Sequence, residues 1–356
     1  MTIEFIWQLP TSGDGRYADA AKHKRGERDV SSTAYFGQGV TDPRGKQYNY
    51  FDYLHQVAKA AELAHFDGIQ IRNDPDGDES WIVAGYLTRS TKYLNVVTEF
   101  DASRGSAVYA AKNAVSYQRF SGGRFAWQIS TGGDDAQRRR DGDFVPKEDI
   151  YPRIEEFLTV ARNVITQTSY SFKGRFFEVL EGGFKGPLSN QKVPTVYLAG
   201  NTQEAYAISA KQADVHLLDA SHIDLIKADI AKLNTLAAKE GRTLRIGLRI
   251  DLLARETQEE AEFDAKRYLE QTGGLRRGFN TSLLWTGLTT KQNGAATTLV
   301  GSFEQVTAQL NEYIHAGISS FVLSAIPSLE EAYRIGENVL PQVRAHIQQA
   351  QQRAAA

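Results

Sequence analysis

Residues 94–129 read LNVVTEF, DASRGS, AVYAAKNAVSYQRF, SGG and RFAWQI in succession. The stretch predicts a strand over Leu94–Phe100, a helix over Ala107–Phe120 and a second strand over Arg124–Ile129, with turn residues at each junction. The same alternation continues in both directions. Upstream lie strands at Ile3–Leu9 and Gly68–Ile71, with helices at Tyr50–Ala64 and from Trp81 onward. The first of these helices carries Tyr53, Leu54, Val57, Ala60, Ala61 and Ala64 on one stripe. Downstream lie a helix over Asp149–Ile165, strands at Thr195–Ala199, Val215–Leu218, Leu244–Ala254 and Ser319–Ala325, and helices at Thr202–Gln212, Ile223–Lys239 and from Thr257 to about Leu269. A helix over Phe303–Ala316, striped by Phe303, Val306, Leu310, Tyr313 and Ile314, precedes the last strand, and a helix over Leu329–Ala345 follows it. A small hairpin, Tyr170–Phe172 with Phe176–Val179, interrupts the series. Eight strand–helix units in order predict an α/β fold, a (β/α)8 TIM barrel with insertions. The alternative is an open doubly wound sheet, which rarely needs so many evenly spaced strands.

Composition is consistent with that fold. The 356 residues are 41% hydrophobic, enough for a sizeable core. No Pro/Ser/Gly linker divides them, so residues 1–356 read as a single domain. No apolar run reaches the roughly 18 residues of a membrane span. Met1 to Pro10 contains Glu4 and Gln8 and reads as a strand rather than a signal peptide. Cysteine is absent, which removes disulfides, thiolate catalysis and Cys-based metal sites and suggests a cytoplasmic protein. A net charge of −2 predicts no attraction to nucleic acid.

Two connections are too long for turns: Thr11–Asp52 and Gln271–Val300. The second holds five glycines together with Arg276, Arg277 and Lys291. It reads as a mobile lid over residues 271–300, or alternatively as a surface excursion or dimer contact.

Barrel active sites lie at the carboxyl ends of the strands. The polar residues gathered there include Ser12, Arg72, Asn73, Glu99, Asp101, Gln128, Ser130, Thr131, Gly200-Asn201-Thr202, Asp219, Arg249 and Asp251. Gly200-Asn201-Thr202 stands where a strand turns into a helix. Such a turn suits a phosphate, but the sequence alone favours a plain N-cap by Asn201 or Thr202. Lys147, Tyr151 and Arg153 open another helix and could serve the same phosphate. Glu99 with Asp101 is compatible with a paired acid and base, as in glycosidases. Arg249 with Asp251 is compatible with an ion pair. His216 and His222 are six apart and neither has a partner at helical metal-ligand spacing, so no metal site is expected. Nucleotide-binding glycine fingerprints are also missing.

Several segments together resemble the bacterial-luciferase-like flavin monooxygenases, and within them the alkanesulfonate monooxygenase branch. They are Phe5 to Thr11 with Gly13 to Tyr17, Ala107 to Lys112, Ser121 to Arg124, Ser130 to Gly132, Arg245 to Arg249, Arg255 to Thr257, Gly317 to Ser324 and Leu329 to Arg334. The resemblance implies a two-component monooxygenase. A separate NAD(P)H-dependent flavin reductase would supply reduced FMN, O2 would be the oxidant, and a small organic molecule the substrate. It also implies a homodimer or homotetramer. Tyr151, Gly200, Asn201 and Thr202 would meet the FMN phosphate, and Gln128, Ser130 and Thr131 would line the ring. Arg249 would lie in the active site, with Asp251 beside it in the catalytic set.

The sequence departs from the sulfonate branch at several substrate positions. Asp251 replaces a His, Asp219 a Trp, Asp101 an Arg, Ile326 a Tyr and Ser12 a His. Lys291 lies near the branch's lid arginine, and Gly77 near its flavin-site cysteine. A sulfonate is a permanent anion that needs cations or donors. Three carboxylates in place of a His, a Trp and an Arg point toward hydroxyl or amine donors instead, such as a polyol, an amine or a riboflavin-like heterocycle. The bland alternative is that these aspartates pair with Arg16, Arg72, Arg104 or Arg249. Two further readings remain open: a cofactor-free glycosidase built on Glu99, Asp101 or Asp251, and a flavin-binding barrel without turnover.

Overall fold

The structure, a computed structural model, describes residues 2–11, 50–75, 77–271, 283–286, 288 and 297–355. In chain order it begins with β1 (Glu4–Gln8), α1 (Tyr50–Leu63), β2 (Gly68–Ile71), α2 (Ser80–Ser90), β3 (Asn95–Asp101), α3 (Ala107–Ser121) and β4 (Phe125–Ser130). Next come α4 (Asp135–Arg140), α5 (Ile150–Thr166), the hairpin β5 (Tyr170–Lys173) and β6 (Glu178–Gly182), β7 (Thr195–Ala199), α6 (Gln203–Gln212), β8 (Val215–Asp219) and α7 (Ile223–Lys239). The last part holds β9 (Arg245–Arg255), α8 (Gln258–Gln271), β10 (Leu284–Thr286), β11 (Thr297–Ser302), α9 (Phe303–Ala316), β12 (Ile318–Ser324), α10 (Ser328–Asn338) and α11 (Leu340–Ala355). Every strand–helix unit expected from the sequence is present, in the order expected of a (β/α)8 fold.

The chain divides into two compact units. The first comprises Met1–Ile69, Asp219–Ile230 and Gly247–Ala356. Its strands follow the order β10-β11-β9-β12-β1, with β1 parallel to β12 and Glu4 opposite Ser320. One face of that pair is aromatic: Phe5 stacks on Phe321 at 5.4 Å, and the Arg344 guanidinium lies 5.7 Å from the Phe5 ring. On the same face Trp7 Nε1 donates to Ser328 Oγ at 3.0 Å, which satisfies a buried indole. The expected α1 stripe is buried, with Tyr53, Leu54, Val57, Ala60 and Ala61 no more than 1% exposed.

The second unit comprises Gln70–Leu218 and Ala231–Ile246. Its strands β3, β4, β7 and β8 pair in parallel in that order. Glu99 stands opposite Gln128, and Gln128 opposite Tyr197. The outer face of β3 and β4 carries Phe100 and Trp127, which pack edge-on at 5.9 Å, with Phe157 of α5 5.8 Å from Phe100. The Ser121-Gly122-Gly123-Arg124 turn has a structural task. The Arg124 guanidinium donates to the carbonyls of Ser121, Leu94, Thr88 and Thr91, tying the end of α2 to the start of β3.

Three features differ from the expectation. The segment Gln271–Val300 is not wholly a loop. It contains β10 and β11, which pair antiparallel, and β11 lies parallel to the second half of β9 with Thr298 opposite Asp251. Glycines throughout the segment hid the short Thr297-Thr298-Leu299-Val300 run, which is the kind of β-branched sequence that forms a strand. Residues 272–282, 287 and 289–296 of the expected lid lie outside the described residues. The closing helix is two helices, because Pro341 has no N–H to donate and fits only the first turn of a new one. Finally, α4 is a helix the sequence does not announce; it is six residues long and is started by the Asp134 side chain accepting from Gln137 N at 2.9 Å. Among the described residues no helix is long and apolar enough to cross a membrane.

Candidate active site

In the second unit, β7 ends at Ala199 and the chain turns through Gly200, Asn201 and Thr202 into α6. Gly200 has φ 133°, which an L side chain rarely adopts, and a Cβ there would lie 2.9 Å from Ala205 Cβ and 3.7 Å from the Tyr151 hydroxyl. Thr202 is the N-cap: its Oγ1 accepts from Ala205 N at 3.2 Å. The same Oγ1 lies 3.5 Å from the Tyr151 hydroxyl, in the first turn of α5. Asn201 and Thr202 are exposed and Tyr151 half-buried. The turn therefore combines a helix N-terminus, two hydroxyls and a side-chain-free backbone position. A carboxylate already senses this field. Glu204, fully exposed in the first turn of α6, is held below its ordinary range by its own backbone N–H first and the Thr202 hydroxyl second.

Arg153 does not contribute its charge to this turn. It is buried, and its two terminal nitrogens donate to the two Asp143 oxygens at 2.9 and 2.7 Å. Lys147, in a 3-10 turn before α5, is exposed.

The ends of β2, β3 and β4 in this unit carry a polar network. Gln128 is 1% exposed; it accepts from Gln70 Nε2 and donates to Glu99 Oε1 at 2.9 Å. The other Glu99 oxygen accepts from Asn73 N at 3.1 Å and lies 3.9 Å from Arg72 Nε. Asn73 Nδ2 is 3.5 Å from Ser130 Oγ, and Thr131 follows, half-buried. Asp101 has separate partners. It is 5% exposed, accepts from Ser103 N at 2.8 Å and presses on Gly132, where any Cβ would collide with its carboxylate.

Burial pushes the Asp101 carboxyl above its ordinary range, and the Ser103 hydrogen bonds and Arg153 only partly oppose this. A raised folded pKa means that this group's contribution to stability is full below the unfolded carboxylate pKa and is lost as pH rises through the folded one. Asp101→Asn keeps an acceptor for Ser103 N and cannot ionise. Its stability should match the wild type in acid and exceed it progressively toward neutral pH, as read by urea midpoints from pH 4 to 8. A constant difference across that range would contradict this account.

In the first unit, the Asp219 carboxylate pairs with Arg249: Oδ1 is 2.7 Å from Nη2 and accepts from Nε at 2.9 Å. Asp251, two residues further along β9, is 3% exposed and accepts from the Ser324 hydroxyl at the end of β12. Beside it lies a small cavity of about 30 Å³ lined by Leu253, Tyr268, Leu288, Thr298 and Ile326 among others. Ile326 packs against the cluster of Tyr268 and Trp285, and its carbonyl accepts from the Tyr268 hydroxyl at 2.6 Å.

The family model described as luciferase-like monooxygenase matches residues 31–320. The chain belongs to that family. Solved structures agree on the (β/α)8 fold. A riboflavin lyase, solved with modified FMN and riboflavin as substrate, is 16% identical with a TM-score of 0.73, over 97% of this chain and 92% of its own. An EDTA monooxygenase from Chelativorans sp. BNC1 is 15% identical with a TM-score of 0.71, over 97% and 94%. A long-chain alkane monooxygenase is 15% identical with a TM-score of 0.73, over 97% and 92%.

In this luciferase-like monooxygenase the structure brings Tyr151, Gly200 and Thr202 together, and Gln128 with Ser130 through the Glu99–Asn73 network. Arg249 meets Asp219, one of the partners considered for the aspartates, while Asp251 meets Ser324. Glu99 and Asp101 do not act as a pair, since each has its own partners. Ser12 and Lys291 lie outside the described residues. Sequence reasoning missed Asp143, which holds Arg153, and His216, which supports the Gly200 turn. An acidic residue ten positions before a helix-opening arginine is too common a pattern to have signalled the first.

Proposed function

We propose that the chain is the oxygenase of a two-component system that oxidises a small organic molecule other than a simple alkanesulfonate. A separate NAD(P)H-dependent reductase would deliver reduced FMN, and O2 would be the oxidant. The observation that carries this reading is the turn at Gly200. Its open backbone, the start of α6, and the Tyr151 and Thr202 hydroxyls match the needs of a phosphate monoester. Tyr151, Asn201 and Thr202 would hold that phosphate, and Gln128, Ser130 and Thr131 would border the ring. Reduced FMN supplies the two electrons that activate O2. The protein's own part is to bind, orient and exclude water.

The substrate half rests on Arg249. A sulfonate needs a cation or donors, and the Arg249 guanidinium that could serve it is already engaged by Asp219. Asp251 adds a buried carboxylate that accepts from Ser324. Carboxylates favour a substrate rich in hydroxyl or amine donors, so a polyol, an amine or a riboflavin-like heterocycle fits better. Among the similar structures, the riboflavin lyase takes riboflavin as its substrate.

The test mixes reduced FMN, O2 and candidate substrates with the protein. The expected result is tight binding of reduced FMN, oxygenated product from a donor-rich substrate, and no sulfite from alkanesulfonates. Sulfite release matched to flavin turnover overturns the substrate half. Failure to bind reduced FMN overturns the cofactor half. Binding without product from any substrate class would leave a flavin carrier.

A further inference from the structure

His216, in β8, is completely buried, an unusual place for an imidazole that the proposed chemistry does not use. Its Nε2 lies 3.0 Å from the Gly200 carbonyl, and its Nδ1 lies 2.7 Å from the hydroxyl of Ser209, itself fully buried on α6. Tyr206 meets the ring edge-on at 5.1 Å. A carbonyl oxygen can only accept, so Nε2 carries the proton and donates to Gly200. In the neutral ring Nδ1 then accepts from the Ser209 hydroxyl.

One peptide plane extends this arrangement to the surface. The carbonyl of Gly200 and the N–H of Asn201 belong to the same planar, trans unit and point in opposite directions. With the carbonyl held inward by His216, the Asn201 N–H is turned away from the buried ring, toward the outside of the turn. Gly200 is also the position where backbone freedom is greatest, so without a tether this plane is the one most able to rotate. Ser209 and Tyr206 both lie on α6, whose N-terminus forms the other side of the turn. The ring therefore joins the strand end to the helix that follows it.

We propose that His216 is a positioning residue for the phosphate of the flavin: through Gly200 it orients the Asn201 N–H that would meet that phosphate. The inference rests on the FMN reading given above. It makes His216 matter to the phosphate and not to the isoalloxazine ring.

The test measures how well FMN and riboflavin, which lacks the phosphate, displace labelled FMN in equilibrium dialysis of wild-type protein, His216→Leu and His216→Gln, so that riboflavin held at a separate substrate site does not count. Gln places an amide N–H near the position of Nε2 and preserves the donor; Leu removes it. The expected result is that wild type favours FMN over riboflavin, that Leu loses FMN affinity about tenfold with riboflavin affinity unchanged, and that Gln recovers most of the loss. If wild type does not distinguish FMN from riboflavin, the phosphate reading of the turn fails. If wild type distinguishes them and Leu does so equally well, the role of His216 fails. A parallel loss for both flavins in Leu, unrelieved by Gln, identifies a merely structural histidine and also overturns the proposal.

Discussion

Asp143→Ala is expected to lower the unfolding free energy by about 3–5 kcal/mol, the usual consequence of leaving a buried charge without its partner. Arg153 is the group left behind. Its side chain is 8% exposed and that of Asp143 3%, and both terminal nitrogens bond to the carboxylate. Arg138, 5% exposed, also loses a partner at 3.5 Å, although Asp135 and the Val145 carbonyl remain to it. Such a loss is a large fraction of the 5–15 kcal/mol typical of a folded domain. Urea unfolding at neutral pH measures it. The sign of the pH dependence offers an independent check. The Arg153 hydrogen bond, first among the causes, holds the Asp143 carboxyl below its ordinary range. A depressed folded pKa contributes stability that is present above the unfolded pKa and is lost as pH falls through the folded one. The penalty of the alanine variant should therefore shrink in acid. A penalty below about 1 kcal/mol at neutral pH, the range of exposed pairs, would show that the bidentate pair is not desolvated.

Gly200→Ala should impair cofactor binding most. The substitution asks an L residue to hold φ 133°, a strain on the order of 1–3 kcal/mol, and puts its methyl 2.9 Å from that of Ala205. The turn must shift to relieve both. We expect FMN affinity to fall by at least about tenfold, with a lower thermal midpoint. A second change separates the two causes. Ala205→Gly removes the steric contact and leaves the dihedral strain, so the double variant should recover part of the affinity and not all of it. Full recovery would mean that crowding alone matters. Unchanged affinity in Gly200→Ala would remove this turn from the flavin site.

The order of strands and helices was legible because each parallel strand is a short apolar run ended by polar or glycine residues, and each helix has an apolar stripe. The failures have physical origins. The β11 run Thr297–Val300 is short and set among glycines, and its partner is the far half of β9, so nothing local announces the pairing. The break before α11 is signalled by Pro341, but the apolar stripe runs on across it. At the site, Glu99 and Asp101 read as a possible acid–base pair. The sequence could not tell that Glu99 joins Gln128 and Asn73 while Asp101 turns to Ser103 and Gly132. At Thr202 the structure shows the cap, to Ala205 N, with the Tyr151 hydroxyl 3.5 Å away; a cap and a phosphate ligand do not exclude each other at such a turn. His216 was considered only as a metal ligand, because its partners Ser209 and Gly200 become adjacent only after α6 folds back along β7 and β8.

Under the proposed function, the Asp219–Arg249 pair would also bear on how fast substrates arrive. A lone guanidinium at a strand end projects a field that draws anions from beyond contact distance, and ionic strength weakens that pull. With a carboxylate 2.7 Å from the guanidinium, the two charges form a dipole whose field dies away within a few ångströms. Arg249 therefore does little to attract anions from solution, and its influence is confined to molecules already in contact with it. Under the function proposed above, encounter at Arg249 would be a matter of diffusion and shape, with selectivity falling to the lifetime of the bound state rather than to the rate of capture.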